Sequence, residues 1–191
     1  IVVYKYNILL SCESLLDFGS ELNFQRKHLD FHYRSRHPFL IDFSNYAFYN
    51  QRLKPLPNNF DYVPIKYIQV NGTFSEHTNE AEAEMVLSII DKNINRLPNG
   101  EYPTVGIATF NIAQRNLIKS KILERQKFSK FEEFNAKIQE LEEKGMFIKN
   151  LENIQGDERD VIILSTTYGI GKDRKFAQRF GPINHTKGYK L

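Results

Sequence analysis

The sequence predicts an α/β layer fold built on a largely parallel sheet, and three observations carry that expectation. Segments of strand character alternate with segments of helix character along most of the chain, as helical crossovers between parallel strands require. TVGIATF (104–110) is almost continuously apolar, the pattern of a strand covered on both faces. DVIILSTT (160–167) is the most apolar strand segment of all.

In chain order, SCESLLDFGSEL (11–22) reads as a short helix with Ser11 as its N-cap. HLDFH (28–32) alternates and reads as a strand. It runs through RSRH to Pro38, a favourable first helical position, and Phe39, Leu40, Phe43 and Ala47 follow at helical spacing. IKYIQV (65–70) reads as a second strand. Asn79 and Glu82 have the spacing of a capping box, and the helix after them is expected to run to about Leu97, where PNGEYP stops it. Asn111 is placed to cap IAQRNLIKSKIL. A second amphipathic helix covers about 128–144, with Phe128, Phe131, Ile138 and Leu141 on one side. MFIKNLE (146–152) is a short strand. From Gly169 onward, glycine, charge and weak periodicity predict a long surface loop, a kind of segment that is usually functional or mobile.

The chain has 191 residues, enough for one domain that buries its own core without disulfide or metal. Its 26 basic residues are offset by 23 acidic ones, so a net charge of +3 permits nucleic-acid binding without arguing for it. A single cysteine, Cys12, excludes an internal disulfide and points to a reducing, cytoplasmic setting. No apolar run approaches the roughly 18 residues of a membrane span, so no membrane partner is expected. With no initiator Met and no cationic leader before IVVYKYNILL, both ends are expected to be cuts through a longer protein.

There is no GxxxxGK[ST] phosphate loop, GxGxxG fingerprint, GxSxG elbow or HExxH pair in the chain. His28, His32 and His37 lack the thiolates or second histidine pair that structural zinc requires, so no metal site is expected.

Two segments bear on chemistry. In HYRSRHP (32–38) a strand gives way to a helix, the place where open α/β sheets hold ligands. Tyr33 offers an aromatic face for a base and Arg34 a permanently charged fork for a phosphate. Without family knowledge, packing for Tyr33 and a surface ion pair for Arg34 form the favoured reading, ahead of a ligand site. In NIQGDERDVIILS (153–165), Gly156 permits a tight turn, and Glu158 can accept hydrogen bonds from sugar hydroxyls. Arg159 and Asp160 can pair with each other or with neighbours. On composition alone, a polar turn entering a buried strand is the favoured reading of this segment. A nuclease built on Asp157, Glu158 and Asp160 needs a Lys that does not stand beside them in the sequence.

Order and spacing together resemble the C-terminal RecA-like domain of superfamily 1 helicases, in the branch of the nonsense-mediated-decay RNA helicase and related bacterial proteins. LDFHYRSRHPFLIDFSNYAFYNQRL (29–53) is similar to that branch's "YR…P…F.N..FY…L" block. VGIATFNIAQRNLI (105–118) is similar to its strand-then-Gln block, with Thr109, Phe110 and Asn111 where Thr-Pro-Tyr is common. NLENIQGDERDVIILSTTYG (150–169) is similar to "QG.E.D.II.S", the most specific of the blocks. FGPINHTKGYKL (180–191) resembles the lead-in to a last motif that continues "NVAITRA" in relatives.

This resemblance implies a RecA-like P-loop NTPase fold that lacks the phosphate loop itself, spanning 1–191 as one motor domain. Within it, 1–27 is a lead-in, about 125–147 a helical insertion, and about 170–191 a loop into a truncated last motif. It implies that Tyr33 packs on the nucleotide base, that Arg34 contacts the terminal phosphate, and that Gly156 and Glu158 approach the nucleotide and its ribose. Thr109, Asn111 and Gln114 lie in a block whose relatives touch the nucleic-acid backbone. ATP and Mg²⁺ would be held mainly by the first RecA-like domain of the same polypeptide, with single-stranded DNA or RNA as the other partner. This chain alone would bind neither cofactor and hydrolyse nothing. The competing expectation is a non-catalytic α/β interaction or nucleic-acid-binding domain that kept the helicase fold.

Overall fold

The computed structural model describes residues 12–25, 27–35, 37–56 and 61–176. The chain divides into two compact units, residues 1–68 and 69–191.

The first described helix of the N-terminal unit is α1, Leu15–Glu21. Its N-cap is Ser14, whose Oγ accepts from Asp17 N at 3.1 Å and donates to Asp17 Oδ2 at 2.6 Å. Ser11 lies outside the described residues. Ser14 takes the cap of this helix because Asp17, three positions on, supplies an acidic partner in the first turn. Strand β1, Phe31–His32, pairs in parallel with β2, Lys54–Pro55. Helix α2, Phe39–Phe48, lies between them in sequence and is entered through Pro38 at φ −52° and ψ −41°. The Asn45 amide imitates a neighbouring strand, donating to Leu53 O and accepting from Leu53 N, both at 2.9 Å. The helical spacing read from the sequence is present, but no residue of α2 is buried, and Phe39 and Phe43 are largely exposed. The strand expected at 65–70 does not form. Its alternation is real, yet no segment among the described residues pairs with it, and Ile65 and Tyr67 remain exposed. Alternation makes a strand only where a ladder partner exists.

The C-terminal unit opens with a hairpin that periodicity did not reveal, β3 (Phe74–Ser75) against β4 (Thr78–Asn79). Helix α3 (Glu80–Asn93), strand β5 (Val105–Thr109) and helix α4 (Ile112–Gln126) follow. A 3-10 turn at Ser129–Phe131 leads into α5 (Glu132–Glu143), then β6 (Phe147–Asn150) and β7 (Val161–Ser165). The sheet has the order β6-β5-β7 and is parallel throughout. A mixed α/β unit on a parallel sheet is therefore what the alternation foretold.

The core explains the order of elements. Val105, Ile107 and Ile163 project to one face of the sheet and join Leu87, Ile90, Ile118, Ile122, Ile138 and Leu141 from the three helices. On the opposite face, Gly106 leaves room for its neighbours: a Cβ there would lie 2.5 Å from Phe147 and 2.8 Å from Ile162. The expected covering of both faces holds for β5, all of it buried, and fails at the edge strand β7, where Ile162 and Leu164 are 47% and 52% exposed. Phe128 is also more exposed than its spacing suggested. The 3-10 turn advances at about 3.0 residues per turn rather than 3.6, which carries Phe128 off the face that Phe134, Ile138 and Leu141 bury.

Helix α3 stops at Asn93, short of Leu97. Lys137, on α5, donates to Ile90 O at 3.4 Å, to Ile94 O at 3.2 Å and to Asp91 O. A cation on the last carbonyls satisfies orphan acceptors and opposes the negative end of the helix dipole. Lys137→Met keeps the aliphatic stem and removes the cap. It is expected to cost about 1–2 kcal/mol, read as a lower melting temperature in the full-length protein; an unchanged melting temperature would remove the cap from this account.

Candidate nucleotide and nucleic-acid interface

The carboxyl ends of β5 and β7 lie side by side, since Thr109 pairs in register with Ser165. Helices α3 and α4 both begin with an Asn cap. Asn79 Oδ1 accepts from Glu82 N at 3.1 Å, and Asn111 Oδ1 accepts from Gln114 N at 2.8 Å. Asn79 was expected to share a reciprocal capping box with Glu82, and only half of it forms. Asn79 N donates instead to Gln114 Oε1 at 2.8 Å, while Gln114 Nε2 donates to Asn79 O at 3.1 Å and to Ser165 Oγ at 3.4 Å.

That exchange frees the Glu82 carboxylate, which accepts from Ser165 Oγ at 2.9 Å and from Thr167 N at 3.0 Å. Thr167 is fully buried with φ +70°, a left-handed conformation that a β-branched residue rarely adopts. The Glu82 bonds hold it there. Thr167 Oγ1 and Asn111 Nδ2 are buried without a hydrogen-bond partner among the described residues. Of the three residues read as nucleic-acid contacts, Asn111 alone is partly exposed. Thr109 is buried and donates to Asn111 O at 2.8 Å, and Gln114 is buried with its amide already engaged. Glu82 was read from the sequence only as part of a cap, and Ser165 and Thr167 were not singled out. The signal available for the last two was their place just past the most apolar run.

The 153–161 segment separates scaffold from available chemistry. Gly156 has φ +86°, in a turn closed by Asp157 N to Ile154 O at 3.0 Å. A Cβ there would meet nothing within 4 Å, so backbone conformation rather than space demands glycine. Asp160 clasps the starts of β5 and β7: its Oδ2 accepts from Thr104 N and Oγ1, and its own N donates back to Thr104 Oγ1 at 2.9 Å. Arg159 donates to Gly145 O at 2.8 Å and lies 4.9 Å from the centre of the Phe147 ring. Asp157 pairs with Lys149 at 2.6 Å, a lysine that β6 brings in from a distance and that the sequence reading did not find. With Asp157 paired and Asp160 clasped, Glu158 is left exposed, its carboxylate without a hydrogen bond or ion pair among the described residues. No group of three potential metal ligands occurs among the described residues.

In the N-terminal unit, Tyr33 and Arg34 follow β1 directly. Tyr33 is 74% exposed rather than packed, and Arg34 is exposed and forms no ion pair among the described residues. The three nearby histidines are engaged locally: His28 with Arg52, His32 with Ser35, and His37 with the Phe39 amide. No described helix is long and apolar enough to cross a membrane.

A family model described as an AAA domain matches residues 12–175. The uncharacterized ATP-dependent helicase MG140 of Mycoplasma genitalium is 32% identical over 163 residues, covering 84% of this chain and 14% of that protein. Its homolog in Mycoplasma pneumoniae is 33% identical over 166 residues, with the same coverage of 84% and 14%. The chain therefore spans about one seventh of the length of these curated relatives. No solved structure matches it.

Proposed function

This chain belongs to the AAA domain family, and from that premise we propose that it is the second RecA-like motor domain of an ATP-dependent superfamily 1 helicase. The observation that carries the reading is the state of Tyr33 and Arg34. An exposed ring and an exposed guanidinium stand together just past a strand end, and among the described residues neither packing nor an ion pair accounts for them. Their chemistry fits a nucleotide, with a flat face for the base and a bidentate fork for a phosphate. In the C-terminal unit, taken by itself, the Glu158 carboxylate has no partner among the described residues and is an acceptor suited to ribose hydroxyls, on a turn that Gly156 makes possible.

The mechanism is a clamp between two motor domains. The first would hold ATP, together with Mg²⁺ that neutralises phosphate charge. Arg34 approaches the terminal phosphate and stabilises charge that develops as the phosphoryl group leaves. Asn111, in the block with Thr109 and Gln114, lies on the single-strand track at the carboxyl edge of the sheet. Thr109 and Gln114 shape that edge from beneath. A strand held there is gripped by its phosphates and read little for sequence.

Turnover tests the reading. ATP hydrolysis by the full-length protein is expected to rise with single-stranded DNA or RNA, and residues 1–191 alone are expected to show none above background. Activity of the isolated chain that survives repurification would defeat the shared-site reading. A full-length protein indifferent to nucleic acid would favour an interaction domain instead.

A further inference from the structure

We infer that the β3–β4 hairpin and the turn at 170–176 form a second binding element for single-stranded nucleic acid, adjoining the strand ends that carry Thr109 and Asn111. The inference rests on the helicase reading above, and three observations meet in it.

The first is a row of rings. Phe110 follows the last residue of β5, and its ring centre lies 6.5 Å from that of Tyr168. Tyr168 lies 5.4 Å from Phe74, which lies 6.3 Å from His77. Phe110, Tyr168 and Phe74 are half-buried, whereas His77 is exposed at the hairpin tip. One end of the row is thus anchored in the unit, and the other presents a ring to solvent.

The second is a basic turn fastened to the same hairpin. Phe74 N donates to Ile170 O at 3.0 Å, and Phe74 bridges to Gly171. Gly171 N donates to Lys175 O at 2.9 Å, closing a turn that displays Lys172, Arg174 and Lys175. None of these three cations forms an ion pair among the described residues. The carboxylates on the two loops are Asp173, which accepts from Lys175 N at 3.1 Å, and Glu76.

The third is backbone strain at the positions that present these groups. Glu76 and His77 form a two-residue hairpin turn with φ of +50° and +63°, and Arg174 has φ +59°. Asn-Gly suits such a hairpin turn far better than Glu-His, so the left-handed backbone persists where it displays a ring and a guanidinium.

Unpaired cations beside aromatic rings are the chemistry of single-strand binding. Phosphates meet the cations and an unstacked base meets a ring, with tolerance for any sequence because every base has a π-face. A duplex keeps its base faces inside the stack, so the expected occupant is a single strand.

Fluorescence anisotropy on the full-length protein with a labelled oligothymidylate, across a salt series, tests this. K172Q/R174Q/K175Q is expected to raise Kd about tenfold or more near 0.1 M salt and to flatten the log-log salt slope by about 2. His77→Ala is expected to raise Kd about five- to tenfold with the slope unchanged, and His77→Phe to restore binding. All four side chains are exposed, so melting temperatures should match the wild type. Either the triple variant or His77→Ala binding within twofold of wild type overturns the inference. A wild-type protein that binds no single strand overturns the helicase reading itself, which separates the two failures.

Discussion

Replacing Arg34 with alanine in the full-length protein is expected to lower kcat for nucleic-acid-stimulated ATP hydrolysis about 10³-fold or more, while nucleotide binding changes little. The asymmetry follows from what the guanidinium does. Arg34 lies just past β1 and no carboxylate among the described residues engages it, so its charge is available to a ligand. A fork that meets the terminal phosphate from a second domain acts mainly as charge shifts during transfer, and only such differential binding raises kcat. A factor of 10³ corresponds to about 4 kcal/mol of transition-state stabilisation. Arg34→Lys should rescue little, because a point charge on a flexible stem cannot reproduce two parallel hydrogen bonds. A surface ion pair would contribute under about 1 kcal/mol, and its loss would leave turnover intact. Steady-state kinetics on the folded variant separate the two roles, and near-normal kcat would defeat this assignment.

Local features of the fold were legible in the sequence, and features that depend on distant partners were not. Strand β5 was readable because a continuous apolar run has few other uses, and the Asn79 and Asn111 caps because a cap acts within three residues. The same short-range logic did not single out Ser14, the cap of α1, which Asp17 supports from three positions on. It made a strand of 65–70, since alternation is a local property and a ladder is not.

At the candidate site the divide is sharper. Tyr33, Arg34, Gly156 and Glu158 were picked out by residue type together with the order and spacing of blocks that resemble a helicase domain. The clasp between Asp160 and Thr104 joins residues 56 apart, and the Glu82 bond to Thr167 joins residues 85 apart. Both depend on how β5, β7 and α3 come together, which no window of sequence contains, while Lys149 on β6 meets Asp157 only because the chain turns back between them. Thus the residues with unspent chemistry were visible, and the network that shapes the edge around Asn111 was not.

Gln114 shows what that network does, and its removal is expected to have the largest effect on stability. Its side-chain amide copies a peptide group: Oε1 accepts from Asn79 N and Nε2 donates to Asn79 O, as a neighbouring strand would. The glutamine is fully buried, so no water can replace it when it is lost. Gln114→Leu fills similar volume but strands a buried N–H and a buried C=O, at about 1–3 kcal/mol for each unsatisfied group. The expected cost is about 3 kcal/mol, or a fall of roughly 6–12 °C in the melting temperature of a domain this size. Asn111→Ala removes one cap bond and is expected to cost only about 1 kcal/mol. Hydrogen exchange gives a local reading, because the Asn79 amide loses its acceptor and should exchange faster in Gln114→Leu. Single-strand affinity should fall as well, since Ser165 loses a partner that holds it at the end of β7. If Gln114 instead met the bound strand directly, Gln114→Leu would weaken binding with the melting temperature within about 1 °C of wild type. That outcome would return Gln114 to the nucleic-acid surface and leave the Asn79 pairing without consequence.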